Sequence, residues 1–385
     1  MSEMRLSHVI AGFVAVLVGY AGSVAIIYQA TLAAGATPAQ ASSWMLALGL
    51  GCGISSIYLS LRHRVPMLTA WSTPGAALLV VALPGVPLEQ AIGAFVGCGV
   101  LLLLTGLTGW FEKLNDWIPD ALANAMLAGV LFRFGVEAFG SLQVDMVYAG
   151  TMIAVYVLAR SFAARFAVPL LLIYGLGFAV MTGAFDLSAW QGAGIAMPVF
   201  IMPEFNVSVL ISVGIPLYLV TMSSQNMAGV AVLRGAGYRA HVSSALNVTG
   251  FLTTVLAPFG GFAFNLAAIT AAICANEEAG EDPKTRYWAP VFSGLMYILL
   301  GIFGAAVIGL FLAAPKVFVA VLAGLALLPT IAASLSASLA SPAHREAALI
   351  TFLTTVSGIS FFGIAAPVWG LLFGALAYGL TTLRR

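Results

Sequence analysis

The chain has 385 residues, of which 61% are hydrophobic and only 8% are charged, whereas roughly a quarter of an average soluble domain is charged. This composition excludes an ordinary water-soluble domain, and a formal net charge of +1 provides no basic field for nucleic acid. Apolar runs of about 20 residues, long enough to cross a bilayer, recur along the whole chain. The sequence therefore predicts an all-α polytopic membrane protein.

Fourteen transmembrane segments are predicted when charged residues, Pro and Gly are taken as their boundaries. In chain order, the first seven lie at 8–28, 38–60, 67–83, 88–109, 117–135, 144–160 and 166–184. The second seven lie at 207–230, 240–257, 258–275, 286–311, 315–337, 344–362 and 364–382. We interpret residues 186–206, between the two sets, as an extracytoplasmic connector.

The two sets of spans indicate an internal duplication, because most spans of the second begin about 200 residues after their counterparts. Each set has an odd number of spans, so the halves are predicted to form 7+7 inverted repeats. With a cytoplasmic N-terminus, all 15 basic residues except Arg133 and Lys316 fall on the cytoplasmic side. Both termini are therefore predicted to be cytoplasmic.

The third and tenth spans are predicted to be broken. In the third, Pro74 biases Thr73 towards an extended conformation, so residues 69–73 are expected to be strand-like and a half-helix to begin at Pro74. In the tenth, residues 257–266 contain a proline and two adjacent glycines that oppose a regular helix. Half-helices meeting here would direct positive dipole ends towards a carboxylate. The alternative is that these residues merely kink packed helices.

The residues beside these breaks are the predicted substrate site, together with polar residues of the first and eighth spans. We expect an aromatic ring to stack between Trp71 and Phe262. Amide hydrogens near Thr73, Gly75, Gly261 and Phe264, helped by Ser72 or Gln225, are expected to bind its carboxylate. The alternative roles are core packing for the aromatic residues and helix association for the polar ones. The full set is Tyr20, Ser23, Trp71, Ser72, Thr73, Gly75, Gln225, Asn226, Gly261, Phe262, Phe264 and Asn265.

Several motifs resemble those of bacterial benzoate:proton symporters of the benzoate membrane transport family. They are AGFVAVLVGYAGSVAIIYQA, TAWSTPG, SSQNMAG, and GGFAFNLAAITAAIC followed by NEEAGEDPKTRYW. The resemblance implies a fold similar to that of nucleobase transporters, in the bacterial inner membrane. It also implies import of benzoate with a proton by elevator-like alternating access. The implied core domain comprises 1–110 and 207–311, and the implied gate domain comprises 111–185 and 312–385.

The sequence departs from the nucleobase relatives in one respect. Those relatives place carboxylates in the eighth and tenth spans, where this chain has Gln225 and Phe262. A buried carboxylate would repel benzoate, so the departure favours an aromatic acid over a nucleobase. The alternative hypothesis is a carrier or channel for another small organic anion or a nucleobase.

An enzyme is not predicted, because the sequence has neither HExxH, nor GxSxG, nor paired carboxylates within the spans. No cofactor is predicted, and Cys52, Cys98 and Cys274 have no spacing typical of a metal site. The expected partners are an aromatic carboxylate, a proton and the lipid bilayer, with no nucleic acid. The oligomeric state is left open, and the resemblance is compatible with a homodimer.

Overall fold

The computed structural model describes residues 5–111, 119–188, 194–361 and 364–383, and these residues are mostly helical. Within them, eight helices are long and apolar enough to cross a membrane, or nine if one bent pair is a single span. The prediction of an all-α polytopic membrane protein is therefore confirmed. The count of fourteen spans stays a prediction, and parts of the fifth and thirteenth predicted spans and of the connector lie outside the described residues.

The first half of the chain forms helices separated by short turns and one strand. The helices are α1 (Leu6–Ala21), α2 (Val24–Ala33), α3 (Pro38–His63), α4 (Thr73–Ala82), α5 (Leu88–Thr108), α6 (Asp120–Gly140), α7 (Met146–Phe162) and α8 (Ala167–Met181). The strand β1 (Thr69–Trp71) lies directly before α4.

The second half begins with α9 (Val207–Gly235), which contains π-helical stretches at Leu210–Gly214 and Thr221–Asn226. It continues with α10 (Val242–Leu256), β2 (Phe264–Leu266), α11 (Ile269–Ala275), α12 (Trp288–Ile302) and α13 (Gly304–Ala313). The last elements are α14 (Lys316–Ser338), α15 (Arg345–Ser357), β3 (Ser360–Phe361), β4 (Ile364–Ala365) and α16 (Ala366–Leu383).

Two predicted spans are less regular than expected. The first is longer than 8–28 and is interrupted between α1 and α2, where the Ser23 hydroxyl donates to the Gly19 carbonyl at 2.7 Å. Such a bond to the preceding turn competes with the helical ladder and bends the helix. The eleventh is bent by 61° between α12 and α13.

The strands β1 and β2 form an antiparallel pair that joins the two halves of the chain. Thr69 lies opposite Leu266, and Trp71 lies opposite Phe264. The ladder is extended by the Ser72 amide, which donates to the Ala263 carbonyl at 3.1 Å. Both strands lie in the segments predicted to be broken. Non-helical backbone at membrane depth is tolerated where protein surrounds it, and both strands are largely buried.

The helices pack in two groups. In the first, α3 runs against α12 and α5 against α10; in the second, α6 packs against α14 and α15, and α15 against α16. Glycines allow the close approach in the first group, since a Cβ at Gly49 would lie 2.5 Å from the Tyr297 carbonyl oxygen. The half-helix α4 contacts α2 and α6. The division into a core and a gate domain, with its boundaries, remains a prediction.

The longer described part of the connector, residues 194–206, contains no helix or strand and crosses the ends of several helices. The Val199 amide donates to Ser43 at the start of α3, and the Ile201 amide donates to the Pro258 carbonyl just after α10. The Glu204 amide donates to the Glu89 carbonyl in the first turn of α5. These helix ends therefore lie on one side of the protein, the side that the charge pattern predicts to be outside.

Candidate functional site

The outer edge of β1 is fastened to α3 by hydroxyl groups. The Thr69 amide donates to Ser56 Oγ at 3.0 Å, and Thr69 Oγ1 lies 2.6 Å from Ser55 Oγ. Ser60 Oγ donates to the Met67 carbonyl at 3.1 Å. Since an unpaired backbone group in the membrane interior is costly, these serines stabilise the break. Sequence reasoning missed this role, although adjacent serines in an apolar helix are a usable signal.

The outer edge of β2 is fastened by α9 and α10. The Phe264 amide donates to Thr253 Oγ1 at 3.1 Å, and the Leu266 amide donates to Asn226 Oδ1 at 3.0 Å. Asn226 Nδ2 in turn donates to the Thr221 carbonyl at 3.3 Å. Asn226, predicted to bind substrate, is therefore used as a link between α9 and β2.

Three predicted site residues meet at the first break. Trp71 is buried, and its indole Nε1 donates to Ser23 Oγ at 2.9 Å. Its ring makes edge-on contacts with Tyr20 and Tyr297, at centroid distances of 5.6 and 5.5 Å. Tyr20, Ser23 and Trp71 therefore form one cluster, in which the indole N–H already has a protein partner.

Phe262 lies in a different aromatic cluster, with Trp44 at 6.0 Å and Phe95 at 5.6 Å between ring centroids. No ring contact between Trp71 and Phe262 occurs in the part of the chain that is described. The two rings therefore belong to separate clusters, and the stacking of a substrate ring between them stays a prediction. Ala263, between Phe262 and the strand, has a φ of 45°, which is uncommon for a residue other than glycine. The Phe264 ring lies against Gly51 of α3.

Three of the four amide groups of the predicted carboxylate cradle already have protein acceptors. The Gly75 amide donates to Ser72 Oγ at 3.0 Å, so Ser72 acts as the N-cap of α4. The Gly261 amide donates to the Leu256 carbonyl at 2.9 Å, and the Phe264 amide donates to Thr253 as described above. The chain supplies acceptors for these donors because buried amides are rarely left unpaired.

Two predicted residues keep free hydrogen-bonding groups. Thr73 is the half-buried first residue of α4, and Gln225 is half-buried in the second π-helical stretch of α9. Within the described ranges, the amide and the hydroxyl of Thr73 have no hydrogen-bond partner, and the side chain of Gln225 has none either. Because α4 contacts this stretch of α9, the two residues border the same region. A helix N-terminus and an amide donor are suited to a carboxylate.

Buried polar atoms without a partner mark the surroundings of the two breaks. Among the described residues they include the Tyr20 hydroxyl, Thr221 Oγ1 and Asn265 Oδ1. Asn265 Nδ2 donates to the Ala263 carbonyl at 3.0 Å, which leaves its oxygen as an acceptor. Such atoms need a ligand or water to satisfy them. Thr221 was absent from the predicted site, although it lies one helical turn before Gln225 and could have been found by that spacing.

Neither break carries a carboxylate. The sequence has no Asp or Glu between residues 4 and 88 or between 205 and 276. Where the chain is described, no cluster of three His, Cys, Asp or Glu residues could hold a metal ion. The three cysteines are free and buried. The region is therefore uncharged, lined by aromatic rings, hydroxyls and amides.

Known proteins resemble this chain over almost its whole length. The family model described as benzoate membrane transport protein matches residues 2–380. Inner membrane protein YdcO of Escherichia coli (strain K12) is 46% identical over 374 residues, which cover 97% of this chain and 95% of that protein. The benzoate membrane transport protein of Acinetobacter baylyi (strain ATCC 33305 / BD413 / ADP1) is 37% identical over 376 residues, covering 98% and 95%. The transmembrane domain of a cyanobacterium bicarbonate transporter, BicA, has a similar fold, with a TM-score of 0.63 at 13% identity, over 96% of this chain and 97% of that one.

Proposed function

The chain belongs to the benzoate membrane transport protein family, and from that premise we propose that it imports benzoate or a similar aromatic carboxylate together with a proton. Membership makes it a multi-pass membrane transporter and not an enzyme. The inner membrane is the proposed location, since a relative is named an inner membrane protein. The substrate, the coupling and the mechanism are the proposal.

One observation supports an anionic substrate above the others. At the first break, the start of a ten-residue helix presents Thr73 with an unused amide and hydroxyl in the described structure. The neighbouring π-helical stretch adds Gln225, and no carboxylate lies in the sequence around either break. A neutral site with convergent donors favours an anion, because its electrostatic field is positive without a fixed negative charge.

The proposed binding mode differs from the one the sequence predicts. The carboxylate accepts hydrogen bonds from Thr73 and from Gln225 Nε2. The aromatic ring packs against the cluster of Tyr20 and Trp71 and not between Trp71 and Phe262, since the latter ring is occupied by Trp44 and Phe95. Asn265 and Thr221 supply further polar contacts, because each has an unpartnered buried oxygen among the described residues.

Transport is proposed to follow an elevator-like alternating-access mechanism. The first helix group carries both breaks, so it would move with the substrate as the core, against the second group as the gate. Fourteen spans in 7+7 inverted repeats, with both termini in the cytoplasm, complete this arrangement. The separate packing of the two groups supports it.

Uptake into proteoliposomes tests the proposed function directly. Radiolabelled benzoate should accumulate when the lumen is alkaline, and a protonophore should abolish the accumulation. Excess salicylate should compete, whereas uracil, sulfate and bicarbonate should not. Accumulation of uracil, or of an inorganic anion, in place of benzoate would replace this proposal with the corresponding alternative.

The Thr73→Val variant tests the site. Val has the same shape but lacks the hydroxyl, so benzoate affinity should fall about tenfold, as for the loss of one hydrogen bond to a charged group. Thermal stability without benzoate should stay the same, because the hydroxyl has no partner in the described structure. The control is Thr108→Val, whose exposed hydroxyl donates only within its own helix, to the Leu104 and Thr105 carbonyls. Equal affinity in the wild type and Thr73→Val would exclude this binding mode.

A further inference from the structure

A cavity lies away from the two strand breaks, between the C-terminal end of α4 and α6. Its volume is about 100 Å³. It is lined by Val80, Val81, Pro84, Arg133, Phe134 and Glu137. The lining therefore combines an apolar wall with a cation and an anion, and none of these residues belongs to the site described above.

Arg133 is unusual because it lies well inside a helix that can span the membrane, whereas the other Lys and Arg residues of the described spanning helices lie at or next to a helix end. It precedes the end of α6 at Gly140 by seven residues, so it lies about 10 Å along the helix from that end. A guanidinium in contact with lipid is costly, so such residues face cavities that hold water or ligand. The charge pattern also singles it out as one of two basic residues on the predicted outer side.

The Arg133 side chain has no protein partner in the described part of the chain. It is exposed, and it forms no hydrogen bond or ion pair there. Glu137 lies one turn further along the same helix, a spacing that allows an ion pair. Yet no oxygen of Glu137 lies within 4.0 Å of the guanidinium nitrogens. The cation that lines this cavity is therefore available to a ligand.

The cavity is connected to the substrate site by one helix. Thr73 begins α4 and Val81 lies eight residues later, about 12 Å along the helix axis. The helix α6 packs against α4 and also contacts the π-helical stretch that contains Gln225. The cavity and the site therefore lie along the same pair of helices, and the connector crosses the nearby start of α5 at Glu89.

We propose that this cavity is an outer capture site for an aromatic monocarboxylate, in which the Arg133 guanidinium binds the carboxylate before the ligand moves along α4 to Thr73. This inference rests on the proposed function. The apolar wall of Val80, Val81 and Phe134 receives the ring. A carboxylate is favoured over a neutral ligand because a guanidinium forms strong, bidentate hydrogen bonds with it.

Glu137 limits how tightly the capture site holds its ligand. Its carboxylate lines the same cavity and repels a second carboxylate. A site on a transport path must bind well enough to be filled and weakly enough to release its ligand. Arg133 attracts the ligand and Glu137 weakens its binding, and the two residues lie one turn apart on α6.

Uptake kinetics in intact bacteria that lack their own benzoate carrier test this assignment. Arg133→Gln should raise the KM for benzoate about tenfold, as for the loss of a charged hydrogen bond, and leave Vmax unchanged. Arg133→Lys should restore part of the loss, and Glu137→Gln should lower KM about two- to fivefold, as for removal of an exposed like charge. Lys316→Gln is the matched control, since it removes one exposed basic charge that does not line the cavity.

Each outcome of this experiment decides one proposal. Normal wild-type uptake with an unchanged KM for Arg133→Gln would overturn the capture site and leave the proposed function standing. Equal rises of KM in Arg133→Gln and Lys316→Gln would also overturn it, because a general surface-charge effect would explain both. Absent wild-type uptake would instead overturn the proposed function.

Chemical labelling gives a readout that does not depend on transport. The native cysteines are buried and should react little with a maleimide, so Val81→Cys introduces a single accessible thiol, in the cavity. A membrane-impermeant maleimide applied to intact cells should label it, and benzoate should slow the labelling at least about threefold, as for a site mostly filled by ligand. This protection should disappear when Arg133→Gln is added. Failure to label from outside, or protection that survives Arg133→Gln, would contradict the proposal.

Discussion

The two strand breaks are counterparts in the predicted repeat, but they are built differently. After β1, a ten-residue helix starts at once, with Ser72 as its N-cap and Thr73 keeping free donors in the described structure. Before β2, the chain passes through Gly260 at φ 92° and Ala263 at φ 45°, and the helix that follows has seven residues. The first break is therefore organised to present a helix terminus, and the second to position backbone and aromatic rings.

The donors at the two breaks show the same difference. At the second break, the amides of Gly261, Phe264 and Leu266 all have protein acceptors. The difference teaches that pseudo-symmetric segments need not share a function. In the proposed binding mode, the first segment binds the carboxylate, while the second supplies one polar side chain, Asn265, and otherwise supports the first.

The largest expected effect comes from Gly260→Ala at the second break. A Cβ there would overlap the Trp44 ring, and the positive φ is unfavourable for any residue other than glycine. Overpacking and backbone strain together should cost about 2–4 kcal/mol of folding free energy. Thermal unfolding of the purified protein, in detergent and without ligand, measures the loss.

Gly237→Ala is the matched control for Gly260→Ala. Gly237 has a φ of 82°, but nothing lies within 4 Å of the position that its Cβ would occupy. Gly237→Ala should therefore lose folding free energy only through backbone strain, about 1 kcal/mol. If both variants lost the same folding free energy, the overlap with Trp44 would contribute nothing to the loss. The second break would then not depend on packing.

A second experiment compares the neighbouring residues Gln225, which is proposed to contact the ligand, and Asn226, which supports β2. Asn226→Leu leaves the Leu266 amide without its acceptor, so it should lower the unfolding free energy by about 1–3 kcal/mol. Gln225→Leu removes a side chain that has no partner in the described structure, so stability should hold while benzoate affinity falls about tenfold. Thermal unfolding with and without benzoate measures both. The comparison fails if the two variants behave alike.

Much of this arrangement was predictable from the sequence. Pro74, together with the glycines near residue 260, predicts the interruptions because these residues cannot continue a helix, and the strands lie there. Polar residues next to the breaks identify the cluster of Tyr20, Ser23 and Trp71. Composition and hydropathy predict the membrane class because burial in lipid requires apolar surface on every helix.

The contacts were not predictable. An amide is expected to be free wherever a helix is interrupted, yet Thr253 and Leu256 supply acceptors from distant or preceding turns. The separate aromatic clusters of Trp71 and Phe262 were not predictable either, because Ala263, between Phe262 and the strand, adopts a left-handed conformation that no local pattern indicates. Sequence patterns report which backbone groups leave the helix, whereas tertiary packing decides which of them stay unpaired.

The smallest expected effect is a change in the pH dependence of stability. It arises where the end of α3 contacts the start of α10, the helices to which β1 and β2 are bonded. His63, at the end of α3, stacks on His241, just before α10, with ring centroids 4.0 Å apart. Burial, and then the positive charge of Arg239, lowers the pKa of His241 below its usual 6.5. The folded state therefore favours the neutral ring, and the stability it provides is present above about pH 6.5 and is lost as the pH falls towards the lowered pKa.

His241→Asn should therefore reduce the acid sensitivity of the protein. The shift of the unfolding temperature between about pH 7.5 and pH 5.5 should be smaller than in the wild type. His344→Asn, in the helix group that holds neither break, controls for the loss of one histidine. If the unfolding temperature of His241→Asn shifted as much as that of the wild type, the contact between His63 and His241 would not respond to acid.

The fastening of β1 by α3 has a consequence for biogenesis. The partner strand β2 is encoded about 200 residues later, which a ribosome needs roughly 10–40 s to synthesise. During that interval, Ser55, Ser56 and Thr69 already lie on one nascent hairpin and can pair with one another. The first break can thus be inserted as a self-contained unit and receive its partner strand when the second half arrives.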